Sequence, residues 1–297
     1  LNPALIVLLI LISLGLFFAV WCFIEPHFLE VSRINLRTSR GKEGSFTKLG
    51  KGPEIQGKAD VRLFFFSDIH AEMCYISPER LLGEILKAHK EDAIEAVIFG
   101  GDISTSPKKA YKGIEYLSRI SKGLKELGIP FYGVTGNHDL EIGASDIERC
   151  GFTNLEGQII TLKNVRGKDI VLTGADDSGR YNRVWIEPPH VDQDRINILT
   201  IHDPDAIVHI MEKPDFMLSG HLHGGQLKLP FKLVFRLLRS DELPMNGILE
   251  GVFEYGRTGM FISRGLGCGT LPIRFLSVPE ASIVSIYLEN EEDTSND

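Results

Sequence analysis

What this chain has little of narrows its class before any motif is read. Cysteine is scarce and unpaired, with Cys22, Cys74, Cys150 and Cys268 sharing no short spacing. That excludes a disulfide scaffold and fits a reducing compartment. An excess of positive charge is also missing: 32 Lys and Arg face 40 Asp and Glu, for a net charge of −8. A broad electrostatic surface for nucleic acid is therefore not expected. No internal repeat is present. Charge of either sign is absent from Leu5 to Ile24, and the run has only Ser13 and Gly15 in place of the polar stripe that a buried core helix carries. No Lys or Arg precedes it, and it ends in Trp21-Cys22-Phe23-Ile24-Glu25, so it lacks the basic start and small-residue cut site of a cleaved signal peptide.

Twenty apolar residues can cross a hydrocarbon core of about 30 Å as a helix. Residues 1–24 are thus expected to be a transmembrane anchor. Arg33, Arg37, Arg40 and Lys42 follow closely. Basic flanks stay on the cytoplasmic side, which predicts a single-pass protein of the inner membrane with its main domain in the cytoplasm. Residues 25–59, rich in Gly, Lys, Ser and Thr, read as a connector with a short strand near Val31 to Leu36. The main domain is expected over 60–288, and the acidic stretch 289–297 as a disordered tail.

Within the main domain the hydrophobic period alternates between strand and helix. Leu63 to Phe66, Ala96 to Phe99 and Phe131 to Val134 read as buried strands. Helices over Pro78 to His89, with Ser77 as cap, and Lys108 to Leu127, stopped by Gly128, separate them. The later half is richer in strands: Ile159–Leu162, Ile170–Thr173, Ile196–Ile201, Phe216–Ser219, Ile248–Phe253, Gly259–Ile262 and Ile283–Tyr287, with one helix over Asp203–Met211. An α/β fold of two sheets packed face to face and flanked by helices accommodates this order.

Metal-binding side chains lie at the ends of those strands. Asp68 and His70 follow the first, Asp102 follows Gly100-Gly101, Asn137 follows Gly136, His202 ends a fourth strand, and His221 and His223 follow Gly220. Glycines let the backbone turn close to an ion. An Asp-x-His pair alone means little, but the ordered set offers oxygen and nitrogen ligands for two ions. Asp102 can bridge them. A paired-metal site is common equipment for hydrolysing phosphate esters. Imidazole, carboxylate and amide ligands without thiolate suit Mn, Fe, Co or Zn, and four imidazoles disfavour Mg.

The blocks D-I-H at 68–70, G-G-D at 100–102, G-N-H-D at 136–139, His202 and G-H-L-H at 220–223 resemble those of the calcineurin-like metallophosphoesterases. The resemblance implies a four-layer α-β-β-α sandwich. It implies one ion held by Asp68, His70, Asp102 and His223, and another held by Asp102, Asn137, His202 and His221. It also favours manganese. His138 would sit over the phosphate as a catalytic residue. Asp139, the second catalytic candidate, would either orient a histidine or cap its own loop.

The run after the ligands, G-G-Q-L-K-L-P-F-K-L-V-F-R-L-L-R, places Lys232, Arg236 and Arg239 on one stripe and Phe231, Val234 and Phe235 on the remainder. Such a basic amphipathic helix can lie at a membrane surface or close over an apolar substrate, or it can simply pack on the domain with its charges in water. Phe231, Lys232, Phe235 and Arg236 are expected to contact substrate. Arg180 and Arg183 are read as meeting a distal phosphate or the nucleotide, or equally as solvated loop arginines, and Arg264 and Arg274 carry the same two readings. With S-R-G-L-G at 263–267 and L-P-I-R-F at 271–275, the run resembles the membrane-associated bacterial branch of the family, of the YaeI and YkuE type. That branch includes a pyrophosphatase of lipid A synthesis that cleaves UDP-2,3-diacylglucosamine to 2,3-diacylglucosamine 1-phosphate and UMP. The resemblance implies this lipid nucleotide sugar as substrate, with no nucleic acid and no protein partner. A phosphodiesterase or phosphatase acting on a small soluble substrate is the alternative, and a non-catalytic scaffold is disfavoured because no ligand is missing.

Overall fold

Alternation along a single strand sets the layering. The structure, a computed structural model, describes residues 2–38, 58–165, 167–177, 185–228 and 241–288. All six residues of Val61–Phe66 are buried. Side chains on a strand point alternately to its two faces. Phe64 and Phe66 therefore enter one core while Leu63 and Phe65 enter another. A strand buried on both faces needs a layer on each side, and this one has helices on one face and a second sheet on the other.

In chain order the strands are β1 (Glu30–Thr38), β2 (Val61–Phe66), β3 (Ala96–Phe99), β4 (Phe131–Gly133), β5 (Thr153–Asn154), β6 (Ile159–Val165), β7 (Lys168–Gly174), β8 (Ile196–Thr200), β9 (Phe216–Ser219), β10 (Gly251–Tyr255), β11 (Thr258–Ile262) and β12 (Glu280–Leu288). The first six-stranded sheet runs β1-β12-β2-β3-β4-β5 and the second β10-β11-β9-β8-β7-β6. β2 to β5 are mutually parallel, as are β7, β8, β9 and β11. Between the sheets lies a core of Leu63, Phe65, Ile98, Leu172, Ile198, Phe216 and Phe261.

Helices α2 (Pro78–Glu91), α3 (Ala110–Glu126) and α4 (Ala144–Cys150) cover the outer face of the first sheet. Ser77 Oγ accepts from Arg80 N at 3.2 Å and caps α2, whose Leu81 and Ile85 are buried. The short α5 (Ala206–His209) and the turn of helix Glu242–Met245 lie over the outer face of the second sheet, around Leu199, Met217 and Leu243. This is the four-layer arrangement expected. The leading helix, α1 (Pro3–Ile24), stands apart with nearly all its side chains exposed. Together with the turn that follows, Pro3–His27 is long and apolar enough to cross a membrane, with a mean hydropathy of 2.9 over its most apolar window.

Three stretches differ from expectation. The short strand expected near Val31 to Leu36 is β1, but it runs longer, and it pairs with β12 in parallel along its whole length, so it belongs to the first sheet rather than to a connector. The helix expected over Asp203–Met211 shrinks to Ala206–His209. Asp203 Oδ1 accepts from Asp205 N at 2.9 Å, a local turn that competes with helix. The strand expected from Ile248 starts at Gly251, because Ile248 N is spent on Leu243 O at 2.9 Å, closing the preceding turn. The acidic tail and the basic amphipathic segment lie outside the described residues.

Candidate metal centre

Five parallel strands end at one edge of the sandwich, and each delivers ligands there. β2 leads into Asp68 and His70, β3 into Asp102, β4 toward Asn137, β8 into His202 and β9 into His221 and His223. Open α/β sheets gather their sites at such carboxyl ends. All seven side chains are buried, Asn137 being the most exposed at 8%.

The backbone is bent to bring them together. Asp68, His70, Asp102, His221 and His223 all adopt left-handed conformations, with φ of 51°, 35°, 64°, 70° and 50°. A non-glycine residue in that region carries about 1–3 kcal/mol of strain, and it persists only where surroundings enforce it. Here they do. Asp139 Oδ2 accepts from Asp102 N and Gly136 N, and Oδ1 from Ile103 N, all at 2.9 Å. Asp68 accepts from His221 N at 3.0 Å, tying the two sheets. Glycine is required where loops touch: a Cβ on Gly136 would lie 2.3 Å from Asp102 Oδ1, and one on Gly220 2.3 Å from Asp68 Oδ2.

The donors form two groups, Asp68 with His70 and His223, and Asp102 with His202 and His221; within each, ligand atoms lie within 4.8 Å of one another. Asp102 links the groups, since its Oδ2 is 3.3 Å from His70 Nε2 and 3.1 Å from His202 Nε2. The tautomers show what these atoms await. His202 Nδ1 is 2.7 Å from Gly100 O, which can only accept, so Nδ1 carries the hydrogen. In the neutral ring Nε2 then aims a lone pair at a carboxylate. His70 Nε2 is buried without a hydrogen-bond partner beside the same oxygen. Lone pairs converging in a dry pocket require a proton or a cation between them. These residues fit a pair of divalent ions.

Electrostatics agree. Burial works against charge on His202, but Asp102 and Asp68 outweigh it and hold the imidazole well above its usual range. His70 is raised in the same way. Burial would lift Asp102, yet His202 and His70 keep it well below the carboxylate range. Burial, with Asp102 nearby, raises Asp68 and pushes Asp139 up to about 7.

His138 is only partly buried, unlike the ligands. Its ring meets that of His70 edge-on at 5.1 Å, and its backbone N–H donates to Asp102 Oδ1 at 3.0 Å. Its Nδ1 faces Thr105 O at 3.2 Å, so Nδ1 carries the hydrogen and Nε2 is left to exchange a proton. Asp139 is corrected from a catalytic to a positioning residue. Both of its oxygens are occupied by backbone amides, so it caps its loop and orients no imidazole.

Several contributors escaped sequence reasoning. Thr105 places its hydroxyl 3.3 Å from His70 Nδ1 as well as its carbonyl on His138. Ser67 Oγ donates to Asp68 Oδ2 at 2.5 Å, and Asp203 Oδ2 stands 3.9 Å from His221 Nε2. A polar residue beside a ligand was the sole hint. Arg274 is fully buried, with Nη2 3.4 Å from His223 Nδ1, and supports the site from behind. Arg264 pairs with Glu30 and Glu280. Arg180, Arg183, Phe231, Lys232, Phe235 and Arg236 lie outside the described residues.

A two-sheet sandwich carrying paired Asp/His ligand groups at its strand ends defines a metal-dependent phosphohydrolase. Residues 61–225 match the model of the calcineurin-like phosphoesterases, and the chain belongs to that family. It is 28% identical over 279 residues to the metallophosphoesterase YkuE of Bacillus subtilis, covering 90% of this chain and 89% of that protein. A metallophosphoesterase of Aquifex aeolicus is 26% identical, covering 89% and 94%. The phosphodiesterase YaeI of Escherichia coli is 24% identical, covering 77% and 83%.

Three outcomes follow from this geometry. Asp102→Ala should abolish phosphoester hydrolysis and lower metal content, measured by elemental analysis, toward one ion or none; two tightly held ions in this variant would remove Asp102 from its bridging place. His138→Ala should retain both ions while turnover falls by roughly 10²–10⁴-fold. Loss of metal there would mean that the wrong histidine has been kept out of the ligand set. Because both raised imidazoles must be neutral to bind an ion, protons compete with metal. Apparent Mn²⁺ affinity should therefore fall as pH drops, beginning above the ordinary imidazole midpoint of about 6.5. Calorimetry in two buffers of different ionisation enthalpy should register proton release on binding, and affinity flat from pH 8 to 6 would contradict it.

Proposed function

We propose that this protein is a membrane-tethered hydrolase of a diphosphate in a lipid headgroup, with UDP-2,3-diacylglucosamine as its substrate and 2,3-diacylglucosamine 1-phosphate and UMP as its products, a step of lipid A synthesis. The observation that carries this reading is the attachment of α1 at the metal centre. Arg274, the buried arginine behind His223, donates its backbone N–H to Cys22 O at 2.9 Å, and Phe275 packs against Phe18 with ring centroids 4.6 Å apart. Exposed Phe28, Tyr75 and Leu276 surround the foot of the helix: Phe28 beside Trp21 at 6.0 Å, Tyr75 against His27 at 4.3 Å, and Leu276 bonded to Glu25. Apolar and aromatic side chains at that level suit the interfacial layer of a bilayer. A catalytic centre fixed beside the foot of the anchor favours a phosphate carried by a lipid.

The reading includes two manganese ions, an inner-membrane location and a cytoplasmic catalytic domain, where nucleotide sugars are made. When bound, the divalent ions supply hydroxide at neutral pH and neutralise charge on the phosphoryl oxygens. Water adds to one phosphorus, the bridging P–O bond breaks, and the leaving phosphate oxygen takes up charge. With Nδ1–H on Thr105 O, His138 must carry a second proton on Nε2, taken up as water becomes hydroxide; it donates that N–H to the charged oxygen or hands the proton over to it. Asp139 keeps the Asp102 and Asn137 loops in register while this happens. Nucleic acid and protein partners form no part of the reading.

YaeI is named a phosphodiesterase, which supports that class of reaction; a phosphodiesterase acting on a small soluble ester is the broader alternative. One assay separates the two. Purified full-length protein with Mn²⁺ is given UDP-2,3-diacylglucosamine, its deacylated analogue and a chromogenic phosphodiester. Each methylene buried from water adds about 0.8 kcal/mol. Where that binding is felt in the transition state, kcat/KM for the acylated compound should exceed that of its analogue by several powers of ten. Mass spectrometry should find UMP and the acylated sugar phosphate. No turnover of the lipid with brisk turnover of the soluble ester would establish the broader reading instead.

A further inference from the structure

The residue that follows the apolar helix is an acid, and it is almost wholly buried. Glu25 is 1% exposed. Its Oε2 accepts from Trp21 Nε1 at 2.7 Å and from Leu276 N at 2.9 Å, and its Oε1 accepts from Ser277 N. One donor belongs to α1, and the other two are consecutive amides of the loop leading to β12. Among the described residues no lysine or arginine forms an ion pair with it. A buried carboxylate held only by N–H donors is a structural clamp, and its bonds are stronger than those of a neutral acceptor.

The clamped loop reaches a metal ligand one bond further on. Ser277 Oγ donates to His223 O at 2.7 Å, and Ser277 O accepts from Arg274 Nη1 at 2.8 Å. Arg274 in turn places Nη2 on the carbonyls of Arg264 and Gly265 at 2.8 and 3.1 Å. Leu276 and His223 both sit in left-handed backbone, at φ 57° and 50°, so neither end of this path would hold its shape unaided. Glu25 and Ser277 enforce both.

We propose that Glu25 is a positioning residue for the metal ligand His223: from the foot of the apolar helix, it fixes the 275–277 loop, and through Ser277 the backbone of His223. The proposal concerns the metal centre alone and holds for either substrate. In this arrangement α1 is part of the support of the ion that Asp68, His70 and His223 would hold, whereas the group of Asp102, His202 and His221 has no such link among the contacts described above. Disturbing Glu25 should therefore affect one ion selectively.

The test uses full-length protein in detergent with Mn²⁺ as the probe. Glu25→Gln keeps the size but offers one acceptor oxygen in place of two, so a loop amide loses its partner. Ser277→Ala removes the next bond. Partners behind a metal ligand are typically worth 10–100-fold in metal affinity. Each variant should weaken one of two Mn²⁺ ions by at least tenfold in equilibrium dialysis and leave the other near the wild-type value. The electron paramagnetic resonance of the coupled pair should give way to that of a single ion. The double variant should lose no more than the worse single one, as expected for links in one path. Wild-type affinity for both ions in the two variants, simple addition of their effects, or loss of both ions together would overturn the proposal. Circular dichroism monitors folding. If Glu25→Gln does not fold, Ser277→Ala decides alone by the same one-ion criterion.

Discussion

One carboxylate oxygen organises this molecule. Asp102 Oδ2 stands within 3.3 Å of His70 Nε2 and 3.1 Å of His202 Nε2, and it has almost no access to water. His70 comes from the first sheet and His202 from the second, so the oxygen marks the seam where the two halves of the sandwich meet. Such a cluster would be strongly unfavourable in a dry interior without cations or protons to balance it. The molecule is therefore built to be completed by metal, and much of the surrounding structure keeps the cluster from relaxing. Five left-handed ligand residues, the close approach of Gly136 and Gly220, and the Asp139 clamp all serve that purpose.

The division of labour between the acidic side chains follows from their partners. Asp102 is held by imidazoles and stays ionised, while burial, helped by the charge of Asp102, pushes Asp139 up to about 7 against the backbone amides that favour its carboxylate. With both oxygens taken by backbone amides, this acid shapes loops. His138 differs from its neighbours in the opposite sense. It is the histidine at this edge that remains partly open, with Nδ1 committed to Thr105 and Nε2 left for chemistry.

Legibility in the sequence divided along contact range. The strands β2, β3 and β4 were readable because a run of buried apolar residues ending in Ser or Gly and then Asp or Asn is a local signal. The seven ligands stood out because each ends such a run. The four-layer arrangement came from the resemblance together with the count of strands. Roles that depend on distant partners left no local trace. Glu25 meets Ser277 across 252 positions, and the strand near Val31 to Leu36 is legible while its pairing with β12 is not. Asp139 was ambiguous for the same reason. Its choice between a histidine and its own loop depends on where Asp102 and Ile103 lie, and those come from another strand. The helix expected at 203–211 is shorter because Asp203 supplies a competing turn.

The path from α1 to the sheet leaves the apolar helix little freedom relative to the sandwich. A flexible linker would let the domain roam at a distance set by its length. Here the first turn after the helix, Glu25–His27, leads within a few residues into β1, which is bonded along its length to β12. Phe18, Cys22 and Glu25 are all held by residues 274–277. The helix and the sandwich are thus locked together at the point where a membrane surface would lie. A helix of 22 residues extends about 33 Å at 1.5 Å per residue, so its apolar length matches a hydrocarbon core and leaves no slack below Glu25. Were the helix to cross a bilayer as proposed, packing at Phe275 and Arg274 would set the depth of the catalytic edge relative to the headgroups. Under the proposed lipid reading, selectivity would be a matter of height as well as of pocket chemistry: a phosphate carried at the level of that edge would be presented to the ligands without further search, and one carried higher or lower would have to leave its layer to reach them.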